Sequence, residues 1–194
     1  MLIPFFVLLP LCAFVLCCVL PNRFERSISG IAVASVLSVL ALFVWTLGIW
    51  WQGGGVPLSQ SGPVVFANAH YEFGLAFYMD VISVVFFMMT CLIIILVLLF
   101  SKRYMHRDPG FKRFHATVLF FFVGLALIIF SGNFETLFVG WEFIGISSFL
   151  LISFYRDRFL PTKNALKVFA LYRIADAVFI IALWYAHHLF GHSI

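Results

Sequence analysis

The composition of this 194-residue chain excludes a water-soluble domain, because 64% of its residues are hydrophobic and only 10% are charged, with a mean hydropathy of +1.11. A soluble domain of this length has too little interior to hide so much apolar surface, so the sequence predicts an integral membrane protein. The net charge of +4 does not indicate nucleic-acid binding, because the basic residues form no basic face on a soluble domain.

Apolar runs of helical length predict an all-α fold, a polytopic membrane helix bundle of about six transmembrane helices. The predicted spans are residues 2–20, 28–51, 81–100, 114–130, 134–155 and 163–187, and they form a single transmembrane domain over residues 1–194. The stretch 52–70 contains three consecutive glycines and two prolines. It is predicted to be an extramembrane loop that only connects two spans.

The first apolar run, residues 2–20, could also be a signal peptide. No Lys or Arg precedes it, and no clean cleavage site of small residues follows it. A signal peptide has both features, so we expect this run to remain as a helix.

The positions of the basic residues predict the orientation of the spans, because cytoplasmic loops carry an excess of Lys and Arg. Ten of the twelve Lys and Arg residues lie in three alternate connections, which follow the first, third and fifth spans. Both termini are therefore predicted to be non-cytoplasmic. The other two basic residues, Lys167 and Arg173, lie inside the sixth span.

The fifth predicted span carries a carboxylate inside an apolar helix. Asn133 is a suitable N-cap, and Glu142 lies well inside the run. An intramembrane Glu is costly unless it is paired, protonated or facing a polar cavity, so it indicates a functional site. Glu135, a possible accessory group, lies on nearly the same face, near the non-cytoplasmic end, where water is expected to reach it. Close approach of a neighbouring helix is predicted at the small residues Gly140, Gly145, Ser147 and Ser148.

The sixth predicted span carries Lys167, Tyr172, Arg173 and Asp176 in an otherwise apolar run. Arg173 and Asp176 are three residues apart, so they share a helix face and can neutralise each other. Lys167 lies half a turn away from Asp176 at about 100° per residue. Either Lys167 extends to the nearby cytoplasmic interface, or it faces the bundle and Glu142, because a short loop makes spans five and six antiparallel neighbours.

Glu142, Lys167, Arg173 and Asp176 together have the parts of a proton relay, with Tyr172 as an accessory group. Burial disfavours the charged form of each group and mutual attraction favours it, so small movements can switch proton occupancy. The alternative is that permanent ion pairs hold the bundle together. Arg173 with Asp176 would suffice for that purpose and would leave Glu142 unexplained.

Other ionisable residues are weaker candidates for accessory roles. Asp80 is either a buried functional acid or, in the favoured interpretation, the N-cap of the third span. His115, at the cytoplasmic mouth of the fourth span, could pass protons inward, although a satisfied interfacial histidine is favoured. Near the carboxyl end, His187, His188 and His192 include an i, i+4 pair. No carboxylate or cysteine lies close to them in sequence, so no metal site is predicted.

Two consecutive segments resemble a known family of membrane subunits. The run FETLFVGWEFIGISSFLLISF, followed by NALKVFALYRIAD, is similar to the antiporter-like subunits of complex I, the NuoL or chain-5 type, and to their relatives in Mrp cation antiporters. The resemblance rests mainly on GWE with the following G-x-S-S-x-L-L and on R-x-x-D in the next helix. Details such as YMHRDPGFKRF are most similar to the DabB branch, the membrane subunits of DAB inorganic-carbon accumulation complexes.

The resemblance implies that Glu142 is the family's membrane glutamate, that Arg173 and Asp176 modulate it, and that Lys167 matches a lysine found in some members. It implies a proton- or cation-conducting subunit of a bacterial inner membrane, with no cofactor of its own. In the DabB branch the partner is a cytoplasmic, DabA-like zinc subunit similar to a carbonic anhydrase, and the work is inorganic-carbon accumulation. The alternative is a proton-pumping subunit of NADH:quinone oxidoreductase or an Mrp-type antiporter, with other membrane subunits as partners. Members of this family continue through further helices, so the resemblance covers only their amino-terminal part.

Overall fold

A computed structural model describes residues 2–68 and 71–190 of the chain. These residues form six α-helices and one antiparallel β-hairpin. The helices are α1 (Ile3–Val19), α2 (Glu25–Gln52), α3 (Val81–Tyr104), α4 (Phe111–Ile129), α5 (Phe134–Ile152) and α6 (Phe159–Phe190). The two strands are β1 (Leu58–Asn68) and β2 (Tyr71–Met79).

Each predicted span overlaps one helix, but the helices are not equally suited to cross a membrane. Within the described ranges, α2, α3, α4 and α5 are long and apolar enough to do so. Helix α1 is apolar, but its 17 residues are at the short end of the length that a membrane-spanning helix needs. Helix α6 has 32 residues, and its charged side chains and histidines lower its hydropathy. The count of six spans and the side of each terminus therefore stay predictions.

The stretch after α2 is not the connecting loop that the sequence predicts, and the all-α prediction is wrong here. Strand β1 pairs with β2 from Leu58 opposite Met79 to Asn68 opposite Tyr71, with irregular register on both sides of Val64. Pro63 lies beside the irregularity and has no N–H for the ladder. Strand β2 forms because alternate residues along it are apolar and make one apolar face. This face packs on the bundle, where Met79 is fully buried.

The hairpin is joined to the connection between α4 and α5 by backbone hydrogen bonds. The Tyr78 N–H donates to the Phe130 carbonyl at 2.9 Å, and the Gly132 N–H donates to the Ala76 carbonyl at 2.8 Å. A Cβ atom on Gly132 would lie 3.0 Å from the backbone carbons of Ala76 and Phe77. Glycine at this position therefore allows the hairpin to fix the point at which α5 begins.

The basic connections meet at the opposite end of the bundle. His106 Nδ1, after α3, lies 2.9 Å from Glu25 Oε2 at the start of α2. Arg113 Nη2, in the first turn of α4, donates to the Phe154 carbonyl just after α5 at 2.5 Å. The neighbouring Lys112 Nζ donates to a carbonyl just after α1. These contacts bring together the three connections in which the sequence places ten basic residues.

Phenylalanines from four parts of the chain form the centre of the bundle. Phe6 of α1, Phe43 of α2, Phe87 of α3 and Phe130 after α4 are all fully buried. Their ring centroids approach to 4.7 Å between Phe87 and Phe130 and to 4.9 Å between Phe43 and Phe87. Each such pair contributes about 0.5–1.5 kcal/mol beyond its buried area. Helix α5 packs on α4, and α6 packs on α5, so the α5–α6 pair lies at the edge of this core.

Candidate functional site

The position of α5 is fixed by a cap and by a close helix contact. Asn133 is the N-cap that the sequence predicts: its Oδ1 accepts a hydrogen bond from the Thr136 N–H at 2.9 Å. Its side-chain amide donates to the Gly74 carbonyl in the hairpin at 2.8 Å. Along the helix, a Cβ atom on Gly140 would lie 2.9 Å from the carbonyl oxygen of Gly124 in α4. One side of α5 is therefore held on α4, and another side is left for α6.

Helix α6 runs antiparallel to α5, as the short connection between them predicts. Phe138 stacks on Phe179 with ring centroids 5.6 Å apart, and Phe149 contacts Phe169 at 4.9 Å. The early residues of α5 thus face the late residues of α6. Glu142 of α5 and Arg173 and Asp176 of α6 lie between these aromatic pairs.

Arg173 of α6 contacts two carboxylates. Its Nη1 donates to Glu142 Oε1 at 3.1 Å, and its Nη2 lies 2.9 Å from Glu142 Oε2. This two-point contact is the geometry in which Arg binds a carboxylate most strongly. Nη1 also lies 3.4 Å from Asp176 Oδ2, which confirms the predicted pair. The guanidinium carbon lies 4.9 Å from the centre of the Phe169 ring.

Asp176 is buried and has a second partner that sequence reasoning missed. The Trp141 Nε1–H donates to Asp176 Oδ1 at 2.9 Å, while Oδ2 faces Arg173. Trp141 directly precedes Glu142, so α5 supplies a partner for both Arg173 and Asp176. The signal was present, because a Trp in an apolar helix beside an intramembrane Glu has an N–H that finds no water in the membrane and needs a partner.

The cluster of Glu142, Arg173, Asp176 and Trp141 is open on one side. The side chains of Arg173, Glu142 and Asp176 are 43%, 20% and 9% exposed. Asp176 is therefore the most buried charged group of this cluster, and the contact between Arg173 and Glu142 lies near the surface. A guanidinium that faces lipid is costly, so this side of the cluster requires a polar neighbour or a protein cover in the membrane.

Lys167 and Tyr172 lie outside this cluster, with exposed side chains. Contact between Lys167 and Glu142, one of the two interpretations of the sequence, does not form in the structure. Arg173 binds both oxygens of Glu142 instead. A relay role for Lys167 or Tyr172 stays a prediction.

Asp80 is the N-cap of α3, as the favoured interpretation predicts. Its Oδ1 accepts hydrogen bonds from the Ser83 N–H at 2.7 Å and from the Ser83 hydroxyl at 2.8 Å. The backbone donor above all stabilises the ionised carboxylate, so the pKa of Asp80 is lowered below its ordinary value. This role explains Asp80 without a part in ion movement.

His115 is satisfied, as predicted, but it is fully buried and not interfacial. Its Nδ1 lies 2.9 Å from the Phe111 carbonyl oxygen, and its Nε2 lies 3.3 Å from the Ser101 hydroxyl. The ring also stacks on the Phe111 ring, with centroids 4.2 Å apart. These contacts link α4 to the end of α3.

Glu135 is 4% exposed, whereas the sequence predicts that water reaches it. It lies in the first turn of α5, where the helix dipole favours a carboxylate. Strand β2 packs on this end of α5, which accounts for the burial. The sequence-based prediction failed because the hairpin was not expected.

The carboxyl-end histidines add no metal site to the described part of the chain. His188 stacks on Trp184 with centroids 5.7 Å apart, and His192 lies outside the described residues. Within residues 2–68 and 71–190, no three His, Cys, Asp or Glu side chains come together as ligands.

Comparison with known families gives two matches. Residues 66–115 match the family described as NADH-ubiquinone oxidoreductase (complex I), chain 5 N-terminus. Residues 131–193 match the family described as NADH:quinone oxidoreductase/Mrp antiporter, transmembrane. The second match includes every residue of the charged cluster.

Individual relatives match almost the whole chain but extend well beyond it. The chain is 30% identical to NADH-ubiquinone oxidoreductase chain 5 of Allomyces macrogynus, covering 96% of this chain and 30% of that protein. It is 28% identical to NADH-quinone oxidoreductase subunit L of Rickettsia bellii, covering 93% of this chain and 29% of that protein. The chain thus spans less than a third of the length of these relatives.

A solved structure shares the fold. The match is to a chain of the membrane-bound sulfane sulfur reductase, an archaeal respiratory membrane complex, with a TM-score of 0.81 and 18% sequence identity. It covers 99% of this chain and 38% of that chain.

Proposed function

We propose that this chain, which belongs to the antiporter-like membrane subunits of the complex I chain 5, subunit L and Mrp type, is a proton-conducting subunit of an energy-coupled membrane complex. It is an integral membrane protein with at least four helices able to span a bilayer. A role in moving protons fits these features better than catalysis by the chain itself. Other subunits would supply the energy.

The observation that carries this proposal is the charge balance of the α5–α6 cluster. Glu142 and Asp176 share the guanidinium of Arg173, so the three ionised groups have one negative charge in excess. An unbalanced charge is costly in an apolar helix pair, and binding of one proton removes it. The cluster can therefore hold a proton on one carboxylate while Arg173 balances the other.

A small rotation of Arg173 would change which carboxylate is charged. Nη1 lies 3.1 Å from Glu142 and 3.4 Å from Asp176, so only a short movement separates the two pairings. If Arg173 moves to Asp176, Glu142 loses its partner and its neutral form is favoured. Exchange of the ion-pair partner is thereby coupled to exchange of a proton, which is one step of a relay.

A structural scaffold explains the cluster less well. A permanent staple between helices requires one cation and one anion, and its net contribution to stability is small or negative when it is buried. The charge of the second carboxylate is not needed in such a staple. In a relay the second carboxylate has a role, because it receives the charge that the first carboxylate loses.

A redox-driven complex is the assembly that the similarities support best. The relatives described above are named as subunits of NADH oxidoreductases, and the shared fold comes from a respiratory complex. Other membrane subunits would lie against the outer side of α6. Its exposed apolar side chains include Leu171, Ile174, Val178 and Ile181.

An inorganic-carbon accumulation complex of a bacterial inner membrane is the second candidate, because the YMHRDPGFKRF connection resembles the DabB branch. Its partner would be a DabA-like zinc protein similar to a carbonic anhydrase. Purification of the tagged chain with its natural partners in mild detergent separates the two candidates. Flavin and iron–sulfur absorption would identify the redox complex, and bound zinc with CO2 hydration would identify the other.

The substitution Glu142→Gln tests proton conduction directly. Gln keeps the shape of Glu and can still accept a hydrogen bond from Arg173, but it cannot exchange a proton. We expect normal insertion and assembly with a loss of driven proton translocation of about 100-fold, the lower end of what a positioned proton-transfer group contributes. The assay is the quenching of a pH-sensitive dye in proteoliposomes that contain the whole complex. It is run with and without sodium, so that proton translocation that depends on sodium is recognised.

The matched control is Asp157→Asn, the same chemical change in the exposed connection between α5 and α6. This variant should translocate protons at the wild-type rate. Full coupled translocation by Glu142→Gln at wild-type expression would make the cluster a scaffold and overturn the proposal.

A further inference from the structure

A second polar site lies at the end of the bundle opposite the hairpin. Its residues are distant in sequence from those of the α5–α6 cluster. It is a cavity of about 290 Å³ between the start of α2, the end of α3 and the start of α4. Its lining includes the side chains of Glu25, Arg26, Lys102, Arg103, His106 and Phe111. We call this cavity the basic pocket.

The basic pocket carries an excess of positive charge. Arg26, Lys102 and Arg103 are permanent cations, and Glu25 is the carboxylate among the lining residues. Glu25 Oε2 is bound by His106 Nδ1 at 2.9 Å and by a backbone N–H of the α3–α4 connection at 3.5 Å. These donors reduce the repulsion that Glu25 would exert on an anion, and they leave the three cations available.

An apolar surface leads away from the basic pocket along α3. Leu92, Leu96 and Leu99 are spaced three or four residues apart and lie on the helix face that ends in Lys102 and Arg103. These leucines are 51%, 66% and 48% exposed. Because α3 is a candidate membrane span, this face lies in the hydrocarbon layer and the two cations lie near its boundary.

We propose that the basic pocket binds the phosphate-bearing head group of an anionic phospholipid, with an acyl chain lying along Leu92, Leu96 and Leu99. Basic pockets between transmembrane helices at the level of the head groups bind anionic lipids in this way. The phosphate contacts the guanidinium and ammonium groups of Arg26, Lys102 and Arg103. The bound lipid holds α2, α3 and α4 together at the end where the hairpin gives no support.

The test measures lipid binding by the full-length chain in a neutral detergent. Thermal unfolding is followed during titration with phosphatidylglycerol, with phosphatidylcholine of the same acyl chains, and with inorganic phosphate. Phosphatidylglycerol should raise the unfolding temperature in a saturable way, and the other two additions should not. In Arg26→Gln/Lys102→Gln/Arg103→Gln the apparent affinity for phosphatidylglycerol should fall about 100-fold, and in Lys102→Gln alone about fivefold.

The matched control removes the same charge from the same end of the bundle. Arg156→Gln/Arg158→Gln/Lys163→Gln changes the connection between α5 and α6 and the start of α6, and it should bind phosphatidylglycerol as the wild type does. Equal shifts with phosphatidylcholine, or equal losses in both triple variants, would overturn the proposal. A full shift with inorganic phosphate alone would identify a free-anion site and exclude the lipid. If the pocket triple variant does not fold, the single Lys102→Gln decides the question.

Discussion

Arg173 determines the charge balance of the α5–α6 cluster, because it contacts both Glu142 and Asp176. Its loss leaves two carboxylates close together without a cation. Loss of one carboxylate leaves a neutral pair. The sequence alone suggests an isolated Arg173–Asp176 pair, in which the loss of either residue leaves one unpaired charge and should be equally destabilising. In the observed cluster, loss of Arg173 should be more destabilising than loss of one carboxylate.

We therefore expect Arg173→Gln to destabilise the chain more than Glu142→Gln does. The cost should lie between the roughly 1 kcal/mol of an exposed pair and the 3–5 kcal/mol or so of a buried one, because Arg173 is 43% exposed. Adding Glu142→Gln to Arg173→Gln should restore part of the lost stability. Unfolding in detergent, followed by tryptophan fluorescence, measures the double-mutant cycle. Strictly additive changes would show that the two residues are not partners.

The cap at Asp80 gives a pH-dependent prediction. Asp80→Ala should lower the stability by about 1 kcal/mol, and Asp80→Asn should keep most of it, because Asn also caps helices. The Ser83 donors lower the pKa of Asp80 in the folded chain. The ionic part of the stabilisation is therefore complete above the ordinary carboxyl pKa of about 3.9 and is lost as the pH falls through the lower folded value.

The measurement for Asp80 is the unfolding temperature of the wild type and of Asp80→Asn between about pH 2 and pH 6. The advantage of the wild type should disappear at the acidic end. A difference that does not change with pH would contradict the ionic contribution.

The members of the charged cluster could be predicted from the sequence, but their pairing could not. Ionisable residues in an apolar run stand out, and this identified Glu142, Arg173 and Asp176. Lys167 and Arg173 are six residues apart, which at about 100° per residue places them on different faces of α6. The rotation of α6 about its own axis decides which cation meets Glu142, and the spacing within one helix does not contain that rotation.

At the scale of elements, the lengths of the apolar runs predicted the helices well but gave no indication of the hairpin. Strand β2 has a usable signal, because Phe73, Leu75, Phe77 and Met79 alternate with other residues. Strand β1 contains Gly62 and Pro63, which favour a loop. The hairpin is stabilised by a segment that is distant in the sequence, because the α4–α5 connection binds β2 through backbone hydrogen bonds. Such long-range pairing cannot be recognised from local composition.

The contact between α4 and α5 gives a prediction with a control in the same helix. At Gly140 a Cβ atom would lie 2.9 Å from backbone atoms of α4, whereas around Gly145 nothing lies within 4 Å. Close approach was predicted at both positions, and it is confirmed only at Gly140. Gly140→Ala should push α5 off α4 and cost about 1–3 kcal/mol. Gly145→Ala should be neutral or stabilise by up to about 1 kcal/mol.

The readouts for this pair are thermal unfolding and driven proton translocation. Gly140→Ala should reduce both, because Glu142 lies two residues further along the displaced helix. Equal effects of the two substitutions would show that the α4–α5 contact does not position the cluster.

At the scale of the whole molecule, the two ends of the bundle differ in chemistry. The hairpin and the uncharged α4–α5 connection lie at one end, and the three basic connections lie at the other. Since Lys and Arg are retained on the cytoplasmic side, the basic end is the one expected in the cytoplasm. The fold thus agrees with the alternation of basic and non-basic connections from which the orientation is predicted. Length and composition alone support four of the six predicted spans.

Whether the chain crosses the membrane six times depends on α1 and on α6, because length and composition support only the other four described helices as spans. The aromatic contacts of α6 with α5 run from Phe149–Phe169 to Phe138–Phe179, so α6 follows α5 back towards the hairpin end, and its Arg173 and Asp176 have partners on α5. We expect a reporter inserted after Arg158 to be cytoplasmic and one inserted after Leu189 to be non-cytoplasmic. Paired alkaline phosphatase and green fluorescent protein fusions measure the side, with an insertion after Arg107 as the cytoplasmic reference. If the reporters on both sides of α6 faced the cytoplasm, α6 would not cross the membrane, and the cluster would be reached from one side only.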